Sequence, residues 1–384
     1  PTSYALEDSV GRILAEDVQS DIDSPPYDKS LVDGYAVIAA DVQSGVSLDV
    51  LETVMAGQTP TQTVQPGTTI QVMTGAPLPP GANAVVMVEQ TTRHLQEVTI
   101  EQESIQPETN VMRQATSLAQ GETVLTRGTM IRPIEVGILA EIGCSSIPVF
   151  PQPKLAVIST GDELVEASQV PQAGQIRNSN GPLLQALGQE FGAKSQSLGI
   201  GVDDLSALSD LVKSGLEADI LILSGGVSAG VKDLVPAVLG QHGVEQVFHK
   251  VKLKPGKPLW FGVHHHAGGR PTLVFGLPGN PVSSLVCFLL FVAPVISLWQ
   301  GGQGNCLRKS TARLNSEFQQ RGDRPTYFPA QLTEQDGTRY VRPLAWKGSA
   351  DQRTLSEANA LAFFPAGNQR YPTGDEITVL EIPS

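Results

Sequence analysis

The 384-residue chain has only three cysteines, Cys144, Cys287 and Cys306, and no C-x-x-C pair. Neither a disulfide framework nor a zinc site follows, which suits a reducing cytoplasm. There is no P-loop, nucleophile elbow or kinase pattern, and no fixed-period repeat. No apolar run reaches the ~20 residues of a membrane span. The most apolar stretch, 283–299, contains Pro294 and follows an N-P turn, so it reads as a buried core helix. A net charge of -13 excludes nonspecific nucleic-acid or anionic-membrane binding. No signal-peptide pattern stands at the start, and the chain opens at Pro1, so residues ahead of it are expected.

What is present is globular: 40% hydrophobic and 17% charged residues argue against disorder. The length calls for two to four domains. Residues 1–23 read as a helix ending in a short strand, because LEDSVGRILAEDV repeats near 3.6. From 24 to 118, Pro, Gly and Thr punctuate short Val/Ile runs, which predicts a β-rich unit. A strand, a turn and a helix follow in 119–150, so the β-rich unit reads as an insertion in a first domain formed by 1–23 and 119–150. Region 151–300 alternates strand and helix in the rhythm of a doubly wound α/β sheet. GGQGN marks a boundary, and 301–384 reads as a β-rich cap.

The chemistry concentrates in 151–300. Four predicted strands end in polar turns: Ser159-Thr160-Gly161-Asp162-Glu163, Val202-Asp203-Asp204, Ser224-Gly225-Gly226-Val227-Ser228, and Gly276-Leu277-Pro278-Gly279-Asn280-Pro281. In a parallel sheet these turns share one edge, where carboxylates, hydroxyls and backbone N–H groups converge on a crevice. Any one of the acids, Asp203 or Asp204 for instance, also fits a helix N-cap.

HKVKLKPGKP supplies local positive charge in an acidic chain. Read as an extended strand, it puts Lys250, Lys252 and Lys254 on one face, with Lys257 turned back by Pro255-Gly256. Lys252 alone reads as solvated, whereas Lys254 and Lys257 bracket the turn. Carboxylates beside an anion pocket suggest Mg²⁺. Asn280 and Ser283 dress the last glycine-rich turn. Elsewhere, Asp33 before Gly34 and Thr74-Gly75 are, by themselves, turns. His264, His265 and His266 sit between two predicted strands and read as a hairpin tip rather than three metal ligands, since neighbours on a strand face opposite ways.

Together, LAEDVQSDIDSPPYDKSLVDGYAV, MTGAPLPPGANAVVMVE, GETVLTRGTMI, VISTGDELV, SGGVSAGVKD, KLKPGKP, GLPGNPVSS and GSADQRTLSEANAL resemble the molybdopterin molybdenumtransferase family, which includes the C-terminal domain of gephyrin. They run in the family's order over nearly the whole chain, and DGYA and TGAP distinguish the transferase from related pterin adenylyltransferases. The resemblance implies Mg²⁺-dependent insertion of molybdate into adenylylated molybdopterin with release of AMP. It implies a cytoplasmic homodimer of four-domain subunits, whose cleft takes DGYA and TGAP residues from one subunit and the α/β domain from the other. Other molybdenum-cofactor enzymes would be partners. Carried over by position, Asp33, Thr74, Glu163, Asp203, Asp233, Lys250, Lys254, Pro278 and Pro281 match the family's site residues. Glu163 and Asp233 are assigned to Mg²⁺ or its waters, and the lysines to phosphate and molybdate oxygens.

The chain departs from the family's usual pattern at Leu31-Val32, Asn83, Ser117 and Pro329. Two other readings stand beside the transferase: a pterin adenylyltransferase using the same α/β domain, and a non-catalytic molybdenum-cofactor carrier.

Overall fold

The computed structural model describes residues 1–202, 204–227, 234–304 and 306–382. It divides into two compact units. One comprises Ser3–Val10 and Leu14–Pro148; the other comprises Pro1–Thr2, Gly11–Ile13 and Val149–Ser384.

The first unit is built on a six-stranded sheet in the order Ala84–Met87, Gly34–Val37, Thr68–Val72, Ser47–Val54, Glu97–Ile100, Thr91–His94. All neighbours are antiparallel except Ser47–Val54 and Thr68–Val72. Alternate side chains fill two cores: Tyr35, Val37, Leu48 and Val86 on one face, Ala36, Ile70, Val72 and Val85 on the other. Burial on both faces explains why GYAV is an unbroken apolar run. Gly34 is there for space, because a Cβ would come 2.1 Å from the Val86 carbonyl oxygen. The flanking segments meet each other, with Val18–Gln19 paired to Thr123–Leu125, followed by the helix Pro133–Glu141.

No helix forms over residues 1–23. The segment holds the strand Thr2–Ala5, a single 3₁₀ turn at Leu6–Asp8, and then extended chain. Gly11 at φ 77° breaks the helical path. Beyond it, Leu14 and Ala15 donate their N–H groups to the carbonyls of Thr129 and Pro148 rather than to a preceding turn. The 3.6-residue apolar spacing thus reflects burial by distant chain, not a helix face.

The second unit carries a six-stranded sheet in the order Lys194–Gly201, Lys154–Thr160, Ile220–Ser224, Thr272–Leu277, Trp260–His264, Val244–His249. The first four strands are mutually parallel and the last two pairings are antiparallel. Helices cover both faces, as a doubly wound sheet requires. Asn180–Glu190 and the helical run from Pro281 to Trp299 pack on Leu155, Val157, Ile220 and Ile222. Leu205–Gly215 and Val235–Gln241 pack on Ala156, Ile158, Leu221 and Leu223.

The run from Pro281 to Trp299 is long and apolar enough to cross a membrane by length and composition. Here it is a core helix, with Val286, Phe288, Leu289, Val292 and Ile296 buried against the sheet. A π turn at Phe288–Val292 precedes Pro294, where the missing proline N–H would interrupt regular helical bonding.

The C-terminal portion closes into a five-stranded barrel of Lys309–Leu314, Thr338–Pro343, Thr326–Gln335, Ala360–Phe364 and Glu376–Glu381. Ala312, Leu314, Ala330, Val341 and Phe364 fill it, and the Phe318 ring stacks on Phe364 with centroids 3.8 Å apart. The α/β sheet, the inserted β-rich sheet and the β-rich cap all match the expected fold class.

Candidate active site

The order of the four parallel strands places a topological switch point between Lys154–Thr160 and Ile220–Ser224. From the first of these the chain crosses to one side, and it returns to build the other. The crevice beyond the carboxyl ends at such a point is where open α/β sheets bind ligands. A cavity of about 580 Å³ opens there.

Its walls are the predicted turns. Ser159, Thr160, Gly161 and Glu163 come from one strand end, Gly225 and Gly226 from the next, and Pro278, Gly279, Asn280 and Pro281 from the third. Two of these glycine turns have a steric reason. Gly225 sits at φ 100° with a virtual Cβ 2.5 Å from the Thr160 carbonyl oxygen. At Gly161, φ 146°, a Cβ would come 2.5 Å from Glu163 Oε2, so this glycine lets the carboxylate fold over the turn. The turn at 202–204 behaves differently: Asp204 caps the helix Leu205–Gly215, accepting from the N–H groups of Ser206 and Ala207 at 3.0 and 2.9 Å. Asp203, Ser228 and Asp233 lie outside the described residues.

The lysine loop reaches the same edge by a double reversal. Val244–His249 runs antiparallel to Trp260–His264, which runs antiparallel to Thr272–Leu277. Residues 250–259 therefore emerge beside the carboxyl ends of the parallel strands. They do not form the extended row expected from sequence. The strand stops at His249, and Lys250 turns left-handed at φ 72°, which destroys the two-residue alternation. The loop instead closes on itself, with Lys250 N–H donating to the Leu259 carbonyl and Val251 N–H to that of Lys257.

A second cavity of about 490 Å³ adjoins the first, sharing Pro258, Pro278 and Asn280 with it. Lys254, Lys257 and Ser283 line it, whereas Lys250 lines neither cavity. Arg324, Phe328 and Trp346 from the barrel complete this lobe. Its position is pinned: Lys254 N–H donates to the Pro325 carbonyl (3.0 Å), Tyr327 N–H to that of Lys254 (2.8 Å), and Arg324 Nη1 to that of Leu253 (3.0 Å). Trp346 Nε1 is buried there without a hydrogen-bond partner. Two lysines, an arginine and an unengaged indole N–H form a donor-rich setting for an oxyanion.

Several lining residues carry no signal in the sequence. Asn178 and Asn180 enter the first cavity at the start of the helix Asn180–Glu190. Gln352 comes from the barrel portion, held by Asp351, whose carboxylate accepts from Thr354 Oγ1 and from the N–H of Lys347 and so is held below its ordinary pKa. Arg324 and Trp346 are remote in sequence from the lysine loop, and no local pattern joins them.

Asp33, Thr74 and Gly75 belong to the other unit. Asp33 Oδ1 accepts from Thr74 N–H and Oγ1, and these bonds hold its carboxyl below the usual range. Asn83, where the chain departs from the family pattern, serves the local fold, its Oδ1 accepting from the Ala39 N–H at 2.7 Å. The three histidines lie at the hairpin between Trp260–His264 and Thr272–Leu277, and His266 Nε2 meets Thr272 Oγ1 at 2.9 Å.

Comparison with known proteins agrees with this architecture. Residues 1–143 match the MoeA N-terminal region (domain I and II), 156–297 a probable molybdopterin binding domain, and 311–382 the MoeA C-terminal region (domain IV). A molybdopterin molybdenumtransferase of Bacillus subtilis is 33% identical over 98% of this chain and 89% of its own length. One from a Nostoc species is 36% identical over 97% and 87%. The crystal structure of the molybdopterin biosynthesis moea protein from Pyrococcus horikosii superposes with a TM-score of 0.86 at 32% identity, covering 100% of this chain and 94% of that one. With every region of the family present in order and relatives aligned nearly end to end, the chain belongs to the molybdopterin molybdenumtransferases.

Proposed function

We propose that this transferase inserts molybdate into adenylylated molybdopterin and releases AMP. The carrying observation is the two-lobed cleft. One lobe is lined by hydroxyls, amides and glycine turns suited to a heterocycle and its phosphates, and it shares a wall with a lobe presenting Lys254, Lys257 and Arg324. In the proposed step the two dithiolene thiols bond to molybdenum in place of one molybdate oxygen, which leaves as water with their two protons; a separate water hydrolyses the phosphoanhydride, and AMP leaves. The chain's residues orient the two substrates across Pro278 and Asn280, and the cations offset the charge that accumulates where phosphate and molybdate approach.

Mg²⁺ fits this donor set as a substrate-held ion. Glu163 supplies one carboxylate in the first lobe, and magnesium is usually held by one or two carboxylates together with substrate phosphates. Glu163 would hold it directly or through water, with Asp233 as the second ligand. Bound there, the ion would neutralise phosphate charge. The proposal extends to a cytoplasmic homodimer in which Asp33, Thr74 and Gly75 of another copy complete the cleft, and to molybdenum-cofactor enzymes as recipients.

A pterin adenylyltransferase would use the first lobe, but it gives no role to the cationic lobe completed by the barrel. One assay separates the readings: supply adenylylated molybdopterin, Mg²⁺ and molybdate, then follow AMP and protein-bound molybdenum. Molybdate-dependent AMP release supports the transferase. Release that ignores molybdate excludes it, and tight molybdenum binding without AMP release indicates a carrier.

A further inference from the structure

Two adjacent glycines, Gly225 at φ 100° and Gly226 at φ 62°, form part of the wall of the first cavity. Without side chains to anchor them, they lie where the ends of their turn are held. The front end is tied to the sheet, with Gly225 N–H donating to the Leu277 carbonyl at 3.1 Å. The rear end is Val227, which is 1% exposed. Its side chain presses on Gly276, where a Cβ would come 2.6 Å from Val227 Cγ1. The Val227 carbonyl oxygen meets His249 Nε2 at 2.9 Å. A carbonyl oxygen only accepts, so Nε2 carries the proton, and the ring donates from it in either charge state.

His249 ends the strand Val244–His249, and the left-handed Lys250 that follows opens the lysine loop. The imidazole therefore grips the end of the glycine turn while its own backbone leads into residues 250–259. That loop supplies Pro258, which lines both lobes, and Lys254 and Lys257, which line the second. His249 itself lines neither. We infer that His249 is a positioning residue, acting through Val227 to set the glycine turn of the first lobe against the lysine loop of the second. The loop is pinned independently to the barrel through Leu253 and Lys254, so loss of the tether releases the turn and leaves the lysines in place. The inference rests on the two-lobed cleft being the site of transfer, because a rate depends on this spacing only when two substrates react across it.

Packing and hydrogen bonding make different demands at this position, which lets them be told apart. His249→Phe keeps a ring and drops the donor. His249→Gln loses the ring and keeps an N–H at similar reach. His249→Met, as long as glutamine but without its N–H, repeats the comparison if the phenylalanine variant does not fold. The readouts are AMP release from adenylylated molybdopterin with Mg²⁺ and molybdate, molybdate binding by calorimetry, and amide hydrogen exchange of residues 224–227 by mass spectrometry.

His249→Phe is expected to lower kcat/KM for the adenylylated substrate about tenfold or more, and His249→Gln to stay within about threefold of the parent. Molybdate affinity should stay within about twofold in both, since hydrogen bonds from Lys254 and Lys257 are untouched. Exchange at 224–227 should quicken about fivefold or more in His249→Phe and not in His249→Gln. Parent-like kcat/KM in His249→Phe overturns the inference, whatever the exchange shows. Equal losses in His249→Phe and His249→Gln also overturn it, by marking the ring as packing. Should the parent release no AMP in the presence of molybdate, the transferase reading falls. Faster exchange confined to the donorless variants then still supports the tether, and unchanged exchange overturns it.

Discussion

Asp33 Oδ1 takes two hydrogen bonds from one residue, Thr74: the backbone N–H at 2.7 Å and Oγ1 at 2.8 Å. The acid of DGYA and the hydroxyl of TGAP are 41 residues apart in sequence, and they act as one group. Because the bonds favour the charged form, the carboxyl lies below its ordinary pKa and stays ionised as pH falls into the range where a free carboxylate would take up a proton. Thr74→Val removes one bond and should move the Asp33 pKa upward, read by carbon-detected NMR titration. If the ionised carboxylate serves the reaction, Asp33→Asn lowers kcat about 100-fold with an unchanged melting temperature. An unchanged rate would remove Asp33 from the site.

The lysines should separate sharply. Lys254 and Lys257 line the second lobe and Lys250 does not. Lys254→Met and Lys257→Met are each expected to weaken molybdate binding about tenfold or more, since hydrogen bonds to charged groups contribute about 1.5–3 kcal/mol. Lys250→Met should stay within about twofold. Equal losses for all three would mean that a general field, not this lobe, holds the anion.

Beneath the PGK turn, Gly256 at φ 115° is backed by the Cys287 thiol, and a Cβ on Gly256 would come 2.5 Å from Sγ. Gly256→Ala is therefore expected to cost about 1–3 kcal/mol in urea unfolding, from overpacking together with a backbone region that side chains disfavour. Adding Cys287→Ala should recover part of that cost, the part due to the clash. Burial pushes the Cys287 thiol to about 12, so it should resist alkylation at pH 8 in the folded protein.

Acid stability offers a fourth check. The Arg132 guanidinium, bonded to Glu135 at the start of the helix Pro133–Glu141, holds that carboxyl at about 2. A depressed carboxylate pKa stabilises the fold above the ordinary glutamate value and loses that contribution as pH falls toward 2. The melting temperature of Glu135→Gln should trail the parent at pH 6, and the gap should close steadily between about pH 4.3 and pH 2. A gap independent of pH would point to packing instead.

Much of this molecule is legible from sequence where local pattern and tertiary fate coincide. The strand Lys154–Thr160 and the helix Asn180–Glu190 are readable because β-branched runs and 3.6-residue spacing describe the faces they bury. The convergence of three turns follows from the parallel direction of their strands. What escapes is decided by distant partners. Gly11 and the carbonyls of Thr129 and Pro148 override the helical spacing of the first segment. A single left-handed residue, Lys250, undoes the lysine row. Nothing local in the sequence joins Asn180 to Ser224 and Gly279, which fix its amide, and Arg324 and Trp346 join the lysines only through barrel closure.

The two chain reversals after His249 have a consequence for how such a site can change. A parallel crossover would have committed the intervening residues to a helix packed on the sheet. The double reversal leaves 250–259 as an excursion whose ends are held by neighbouring strands and whose interior carries no ladder bonds to the parallel strands. The lysine charges in that excursion are decoupled from the sheet's registration, while its backbone is pinned to the barrel portion at Leu253 and Lys254. The anion preference of the cleft is in that sense a replaceable part, open to redesign for another oxyanion while the heterocycle end is left intact.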